Sequence, residues 1–263
     1  MNTLFIGYGR MGSAIGAAWR KSHLVGSVSA VDPHLPFSDS AQLYADLDEL
    51  PQRAFELILL ATKPGQACQT LAALPDPLCR GAVVISVAAG VTCASLSAAL
   101  RGRCPVVRAM PNTPVLVGAG CSGLFSADVL DAERREQITQ LFDAVGKAYW
   151  VEQEGQLDAV TALSGSGPAY YHLFSEALAG AGEALGLPAD LAKALAAQTA
   201  LGAASLQAQP GADFIELRNA VTSPNGTTAA AIARLEQDQA LRHLVEAAAR
   251  AAFVRSQELS QGT

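Results

Sequence analysis

The chain has little charge, no cluster of basic residues, few histidines and no long apolar run. Only 16% of its 263 residues are charged, and acids outnumber bases to give a net charge of −6. Without a basic patch, the electrostatic footprint of a nucleic-acid binder is missing. No apolar run approaches the roughly 20 residues of a membrane span. The chain enters an apolar stretch almost at once, with no basic leader and cleavage site, so neither a membrane segment nor a targeting signal is expected. His23, His34, His172 and His243 are scattered, which argues against a metal site. Cys68, Cys79, Cys93, Cys104 and Cys121 are odd in number, lie in one half of the chain and form no CxxC. The expectation is reduced, buried or partly buried thiols in a cytoplasmic protein. Half the residues are hydrophobic, enough for a sizeable core, and the length suits two domains.

Leu4–Asp32 is the most informative stretch. The apolar run Leu4-Phe5-Ile6 reads as a buried strand, and Ser13–Trp19 as a helix packed closely on it. Between them stands Gly7-Tyr8-Gly9-Arg10-Met11-Gly12. In a dinucleotide fingerprint the first glycine allows the tight turn, the second admits the pyrophosphate, and the third lets helix and strand approach. The pyrophosphate then sits on free N–H groups at the helix start. A second apolar stretch, Val25–Val31, ends at Asp32, about 20 residues beyond Gly12, where an acid can hold the ribose hydroxyls. Ile6 through Gly12 and Asp32 are therefore predicted to bind a cofactor. The competing reading is a glycine-rich turn with no ligand.

Further strands are predicted at Leu57–Ala61, Val83–Val87, Val106–Met110 and Ala148–Val151, with a short one at Gln42–Ala45. Helices are predicted at Gln66–Leu74, Cys93–Leu100 and Asp131–Val145. Pro33-His34-Leu35-Pro36 excludes a helix interior, and the βα unit after Asp32 looks abridged. Strands alternating with helices imply a parallel, doubly wound sheet over residues 1–152. Ligands bind such sheets at the carboxyl ends of the strands. Ala61-Thr62-Lys63-Pro64, Ala88-Ala89-Gly90 and Pro111-Asn112-Thr113-Pro114 should thus join the glycine loop at one crevice. Lys63 is either cofactor-facing or a solvated loop charge. Asn112 and Thr113 either shape the site or cap a turn.

From about Glu152 strand-like runs stop and alanine dominates. Tyr170–Leu185, Asp190–Leu206, Thr227–Leu235 and Gln239–Leu259 read as helices, making residues 153–263 an all-α domain. Ala177, Gly180, Ala181 and Ala184 recur at helical spacing and allow close helix packing. So much apolar helix surface on a short chain suggests dimerisation. Val221-Thr222-Ser223-Pro224-Asn225-Gly226-Thr227-Thr228 is the conspicuous polar cluster: a turn followed by a helix start. Its hydroxyls and free N–H groups suit a carboxylate; the alternative is an ordinary helix cap. Leu163–Pro168 is a second glycine-rich break before a helix.

Taken together, these segments resemble the pyrroline-5-carboxylate reductases, enzymes of the last step of proline synthesis. The matching stretches are FIGYGRMGSAI at the start, ATKP at Ala61–Pro64, SVAAGV at Ser86–Val91, RAMPNTP at Arg108–Pro114, TALSGSGPAY at Thr161–Tyr170 and VTSPNGTT at Val221–Thr228. Six short motifs in the family's order span nearly the whole chain. The resemblance implies a Rossmann-type domain followed by a helical dimerisation domain whose helices interleave with a partner's. It implies NADH or NADPH as hydride donor and 1-pyrroline-5-carboxylate as substrate. It also implies that the substrate carboxylate lies on the loop holding Ser223, Gly226, Thr227 and Thr228. Ala61, Thr62, Lys63, Pro64, Ala88, Ala89 and Asn112 then complete the cofactor set.

A protonated cyclic imine is electrophilic enough to need placement rather than a strong acid, and Thr228 is the candidate hydroxyl near its nitrogen. The family's loop usually reads SPGGTT; here Asn225 replaces the first glycine, and Asn tolerates the left-handed conformation. Asp32 favours NADH, because a carboxylate accepts from ribose hydroxyls and repels a 2′-phosphate, with Arg10 as the main opposing charge. A β-hydroxyacid dehydrogenase would resemble a different pattern, with Lys followed by Asn one turn later in the helical half; here Lys193 is followed four residues on by Ala197. A nucleotide-sensing module would need no second small-molecule nest such as Ser223–Thr228.

Overall fold

A computed structural model describes residues 1–34, 41–51 and 53–261. The reading of Leu35 and Pro36 as non-helical falls outside the described residues. The first half runs β1 (Asn2–Ile6), α1 (Arg10–Lys21), β2 (Ser27–Val31), β3 (Gln42–Tyr44), β4 (Leu57–Leu60), α2 (Pro64–Ala72), α3 (Asp76–Cys79), β5 (Val83–Ser86), α4 (Cys93–Ala99) and β6 (Val106–Pro111). A 3-10 turn (Thr113–Val117), β7 (Gly120–Phe125), α5 (Ala132–Asp143), β8 (Gly146–Trp150), α6 (Gln156–Val160) and a π-helical turn (Thr161–Gly165) follow.

Among the described residues, eight strands form one sheet in the order β3-β2-β1-β4-β5-β6-β7-β8. The central strand β4, Leu57–Leu60, is apolar and buried at every position because both faces are covered. Leu4, Ile6, Ile58, Leu60, Val84 and Val106 face one side, against Ala67 and Leu71 of α2 and Leu96 of α4. Phe5, Leu57, Leu59, Ile85 and Val107 face the other, against Ile15 and Trp19 of α1 and Phe142 of α5. This two-sided alternation is the doubly wound arrangement expected from the sequence.

The parallel pairing runs from β3 through β6, but β7 is antiparallel to β6 and parallel to β8. The cause is the connection. Asn112 to Ala119 holds only the 3-10 turn, closed by Gly118 at φ 71°, and a parallel crossover needs a dozen residues or more. The β7 strand GCSGLF was not foreseen, since glycine and serine give it no apolar run.

Two compact units emerge. One comprises Met1–Ser166 with the segment from Ala251 onward; the other is Gly167–Arg250. The boundary expected after residue 152 lies between β8 and α6. The second unit holds α7 (Gly167–Ala184), α8 (Ala189–Gln207), α9 (Phe214–Ala220), α10 (Thr227–Glu236) and the start of α11 (Ala240–Gln261). A Cβ on Gly182 would lie 3.1 Å from that of Ala192, a close approach of α7 and α8, whereas among the described residues the Cβ that Gly180 lacks would meet nothing within 4 Å. Leu201, Phe214 and Leu244 are each more than 60% exposed, far more apolar surface than a lone soluble unit usually presents. Among the described residues no helix is long and apolar enough to cross a membrane.

Candidate active site

The glycine loop is closed by contacts that only glycine permits. Gly7 has φ +89°, and a Cβ there would lie 2.6 Å from the Ala61 carbonyl oxygen. A Cβ on Gly12 would lie 2.5 Å from the Gly7 carbonyl oxygen. Gly9 differs: among the described residues nothing stands within 4 Å of the Cβ it lacks. It is the N-cap of α1, has no side-chain cap, and its carbonyl accepts the first helical hydrogen bond, from Ser13 N–H at 2.9 Å. The N–H groups of Arg10, Met11 and Gly12 precede that bond and point from the positive end of the helix. An open approach over an uncapped helix start fits a dinucleotide pyrophosphate.

Asp32 closes the loop from the side. Its Oδ2 accepts the Tyr8 N–H at 2.8 Å and its Oδ1 the His34 N–H at 2.9 Å. The residue is 8% exposed. Ile6 and the Tyr8 side chain belong to the core. The Tyr8 ring meets Phe5 edge-on at 5.5 Å and lies beneath Gly16, so only its backbone reaches the loop. Arg10 and Lys63 are exposed and pair with no described acid. Lys63 is the N-cap of α2, with Pro64 opening that helix. Thr62 places its Oγ1 out of solvent with no hydrogen-bond partner among the described residues, an unmet need beside the loop.

Past β5, the Ala88 N–H donates to Ser86 Oγ at 3.2 Å, and Ala89 is half-buried. Past β6, Asn112 is buried with its amide engaged. Oδ1 accepts the Cys121 N–H at 2.8 Å and Nδ2 donates to the Ser164 carbonyl at 3.0 Å. Asn112 therefore ties the end of β6 to β7 and to the π-helical turn. Its partner segment, Leu163–Pro168, ends the π-helical turn at Gly165 and, past Ser166, opens α7 at Gly167.

One partly buried constellation escaped the sequence reading. Arg108 Nη1 meets Glu154 Oε1 at 2.8 Å, and the same oxygen accepts the Cys93 N–H at 2.6 Å. This joins β6, the start of α4 and the segment after β8. The pair is separated by 46 residues, so no local pattern announces it. Burial first, then the Glu154 carboxylate, pushes the Cys93 thiol up to about 11. All five cysteines are unbridged, and among the described residues no three potential metal ligands gather.

In the helical unit the polar cluster forms a tight turn before α10. Asn225 adopts φ +59°, and the Gly226 N–H donates to the Ser223 carbonyl at 3.0 Å. Pro at the second position and a left-handed residue at the third is the pattern of a type II turn. A Cβ on Gly226 would lie 2.5 Å from Ser223 Oγ, so glycine lets that hydroxyl sit against the helix start. Gly226 is the N-cap of α10 and no side chain caps it. The N–H groups of Thr227, Thr228 and Ala229 precede the first helical bond, from Ala230 N–H to the Gly226 carbonyl at 3.2 Å. The capping alternative for Ser223 and Thr227 thus finds no bond to support it. The turn's flanks are pinned by Glu236, which takes Arg242 at 2.6 and 2.8 Å and Arg218 at 3.4 Å. The bonds from Arg242 hold the Glu236 carboxyl below its ordinary range.

Comparison with known proteins bears on both units. A family model described as pyrroline-5-carboxylate reductase dimerisation matches residues 154–259. A model described as NADP oxidoreductase, coenzyme F420-dependent, matches residues 3–90. The chain is 47% identical over 206 residues to a pyrroline-5-carboxylate reductase of Pseudomonas aeruginosa, covering 78% of this chain and 75% of that one. It is similar in structure to a pyrroline-5-carboxylate reductase of Coxiella burnetii, with a TM-score of 0.87 and 34% identity over 98% of both chains. It is likewise similar to a pyrroline carboxylate reductase of Plasmodium falciparum with NADP bound, at a TM-score of 0.84 and 27% identity over 99% of this chain and 98% of that one.

Proposed function

The chain belongs to the pyrroline-5-carboxylate reductase family, and we propose from that premise how its residues divide the work. It reduces 1-pyrroline-5-carboxylate to L-proline as an NAD(P)-dependent oxidoreductase. It self-associates through the helical region that the dimerisation model matches, and we take a homodimer as the smallest assembly. Five unbridged thiols suit a reducing compartment, so we assign it to the cytoplasm.

The bound nicotinamide supplies the hydride. Gly7, Gly9 and Gly12, with the N–H groups of Arg10 and Met11, hold the pyrophosphate. Asp32 addresses the adenosine ribose, while Ala61–Pro64, Ala88, Ala89 and Asn112 shape the rest of the crevice. An acid at the end of β2 supports NADH over NADPH, against the opposing charge of Arg10.

The substrate carboxylate is held by Ser223 Oγ and by the N–H groups of Thr227 and Thr228. Fixing that end orients the C=N carbon, and placement of this kind contributes roughly 7–11 kcal/mol in favourable cases. The chain's own part lies at the imine nitrogen, whose proton would come from solvent before binding or from water at the Thr228 hydroxyl, to balance the hydride delivered to carbon. No buried His or Lys is required.

The observation that carries this reading is the uncapped α10 N-terminus behind a left-handed Asn225. Its test is Thr228→Ala, which should lower kcat/KM for the imine by the equivalent of about 1.5–3 kcal/mol with cofactor affinity unchanged. Full catalytic efficiency in that variant would reduce Thr228 to a helix-start residue.

A further inference from the structure

The C-terminal turn of α11 packs on the loop that follows β5. Gly90 has φ +78°, and a Cβ built there would lie 3.3 Å from the Leu259 carbonyl carbon and oxygen and 3.4 Å from its Cβ. One turn earlier, Ser256 is 6% exposed, and its Oγ donates to Asp158 Oδ1 of α6 at 2.6 Å. Gly90, Asp158, Ser256 and Leu259 all belong to the sheet unit. Val91, just past Gly90, is anchored in the core, so the loop is fixed at its far end by burial and on its outer side by α11.

We propose that the Ser256–Leu259 turn is a brace that positions the Ala88–Gly90 loop for the nicotinamide dinucleotide. The inference rests on the assignment of Ala88 and Ala89 to the cofactor crevice. The helix end occupies the space a side chain at residue 90 would fill, so the loop has no room to relax outward. Its left-handed conformation is therefore set before the cofactor arrives. Pre-ordering of this kind raises affinity, because binding no longer has to order the segment. Ser256 and Leu259 are positioning residues: they touch the loop or its support and not the reacting atoms. Loosening the brace weakens cofactor binding, while saturating cofactor reorders the loop and preserves turnover.

The test measures dissociation constants for NADH and NADPH by fluorescence titration of the full chain, with steady-state kinetics alongside. Ser256→Ala removes the bond to Asp158 and should raise both constants roughly fivefold, with kcat within about twofold of wild type. Asp158→Asn keeps an acceptor for Ser256 and should bind like wild type. A chain stopped after Gln257 deletes the Leu259 contact but keeps the Ser256 bond, and should show the same weakening. Amide exchange at residues 87–91 should quicken in both weakened variants and slow again with saturating NADPH. Ala89→Val perturbs the loop directly. If it weakens cofactor binding while Ser256→Ala and the shortened chain bind like wild type and only melt earlier, the brace is overturned. If Ala89→Val itself binds like wild type, the loop's place in the crevice falls, and the brace with it.

Discussion

Asp32 accepts the backbone N–H of Tyr8 at 2.8 Å, so the acid at the end of β2 and the glycine loop form one hydrogen-bonded unit. Asp32 thus has two separable effects: its charge acts on the ribose, and its oxygen shapes the loop. Asp32→Asn keeps an acceptor for the Tyr8 N–H, gives up the one for the His34 N–H and removes the charge. At an effective dielectric near 20 a charge pair a few Å apart is worth about 4 kcal/mol before screening, and a third of that is tenfold. Asp32→Asn should shift the kcat/KM ratio toward NADPH by about tenfold, whereas Asp32→Ala should weaken both cofactors. A wild-type enzyme that prefers NADPH, with an unchanged ratio in Asp32→Asn, would show that Arg10 sets the preference.

The glycines of the fingerprint should separate by phenotype. Gly9→Val meets open space among the described residues and should fold normally, yet lose cofactor binding because its side chain fills the pyrophosphate approach. Gly7→Ala and Gly12→Ala meet backbone oxygen at 2.6 and 2.5 Å and should lower the melting temperature. Circular dichroism melts beside NADH titration distinguish the two classes; a Gly9→Val protein with wild-type affinity would remove the loop from the site.

Asn225 stands at φ +59°, a conformation costing most L-residues about 1–2 kcal/mol. Asn225→Gly should leave KM for the imine near wild type, and Asn225→Val should raise it as the turn before α10 is strained. Equal KM values in the two variants would detach the turn from substrate binding.

Cys93 is raised from an ordinary 9.0 to about 11, through burial first and the Glu154 carboxylate second. The fold favours the neutral thiol, so this contribution to stability is full below pH 9 and is lost as pH rises toward 11. Iodoacetamide at pH 8 should therefore modify the partly exposed Cys68 and Cys121 first and spare Cys93 until the protein unfolds. Peptide mass mapping over time checks this, and Cys93 labelling as fast as Cys121 would contradict it.

Apolar runs such as Leu57–Leu60 announced the central strands because a strand buried on both faces has no polar positions to hide it. The fingerprint likewise carried its strand, turn and acid in one contiguous stretch, and the left-handed Asn225 followed from that residue's tolerance of the conformation. What stayed hidden depended on distant partners. Neither Arg108 with Glu154 nor Gly90 with Leu259 leaves a local trace. The α9 helix was missed although Asp213 accepts the Ile215 and Glu216 N–H groups. Asp followed three residues later by Glu is a helix-start signal that would have found it. The inward turn of the Tyr8 ring was also illegible, since a glycine loop does not declare which side chains face the core.

The most direct test of the account is the initial rate of NADH or NADPH oxidation with 1-pyrroline-5-carboxylate, with proline quantified in the same reaction. One proline formed per dinucleotide oxidised, saturable in both substrates, is the expected result. A protein that binds the dinucleotide but forms no proline would contradict it.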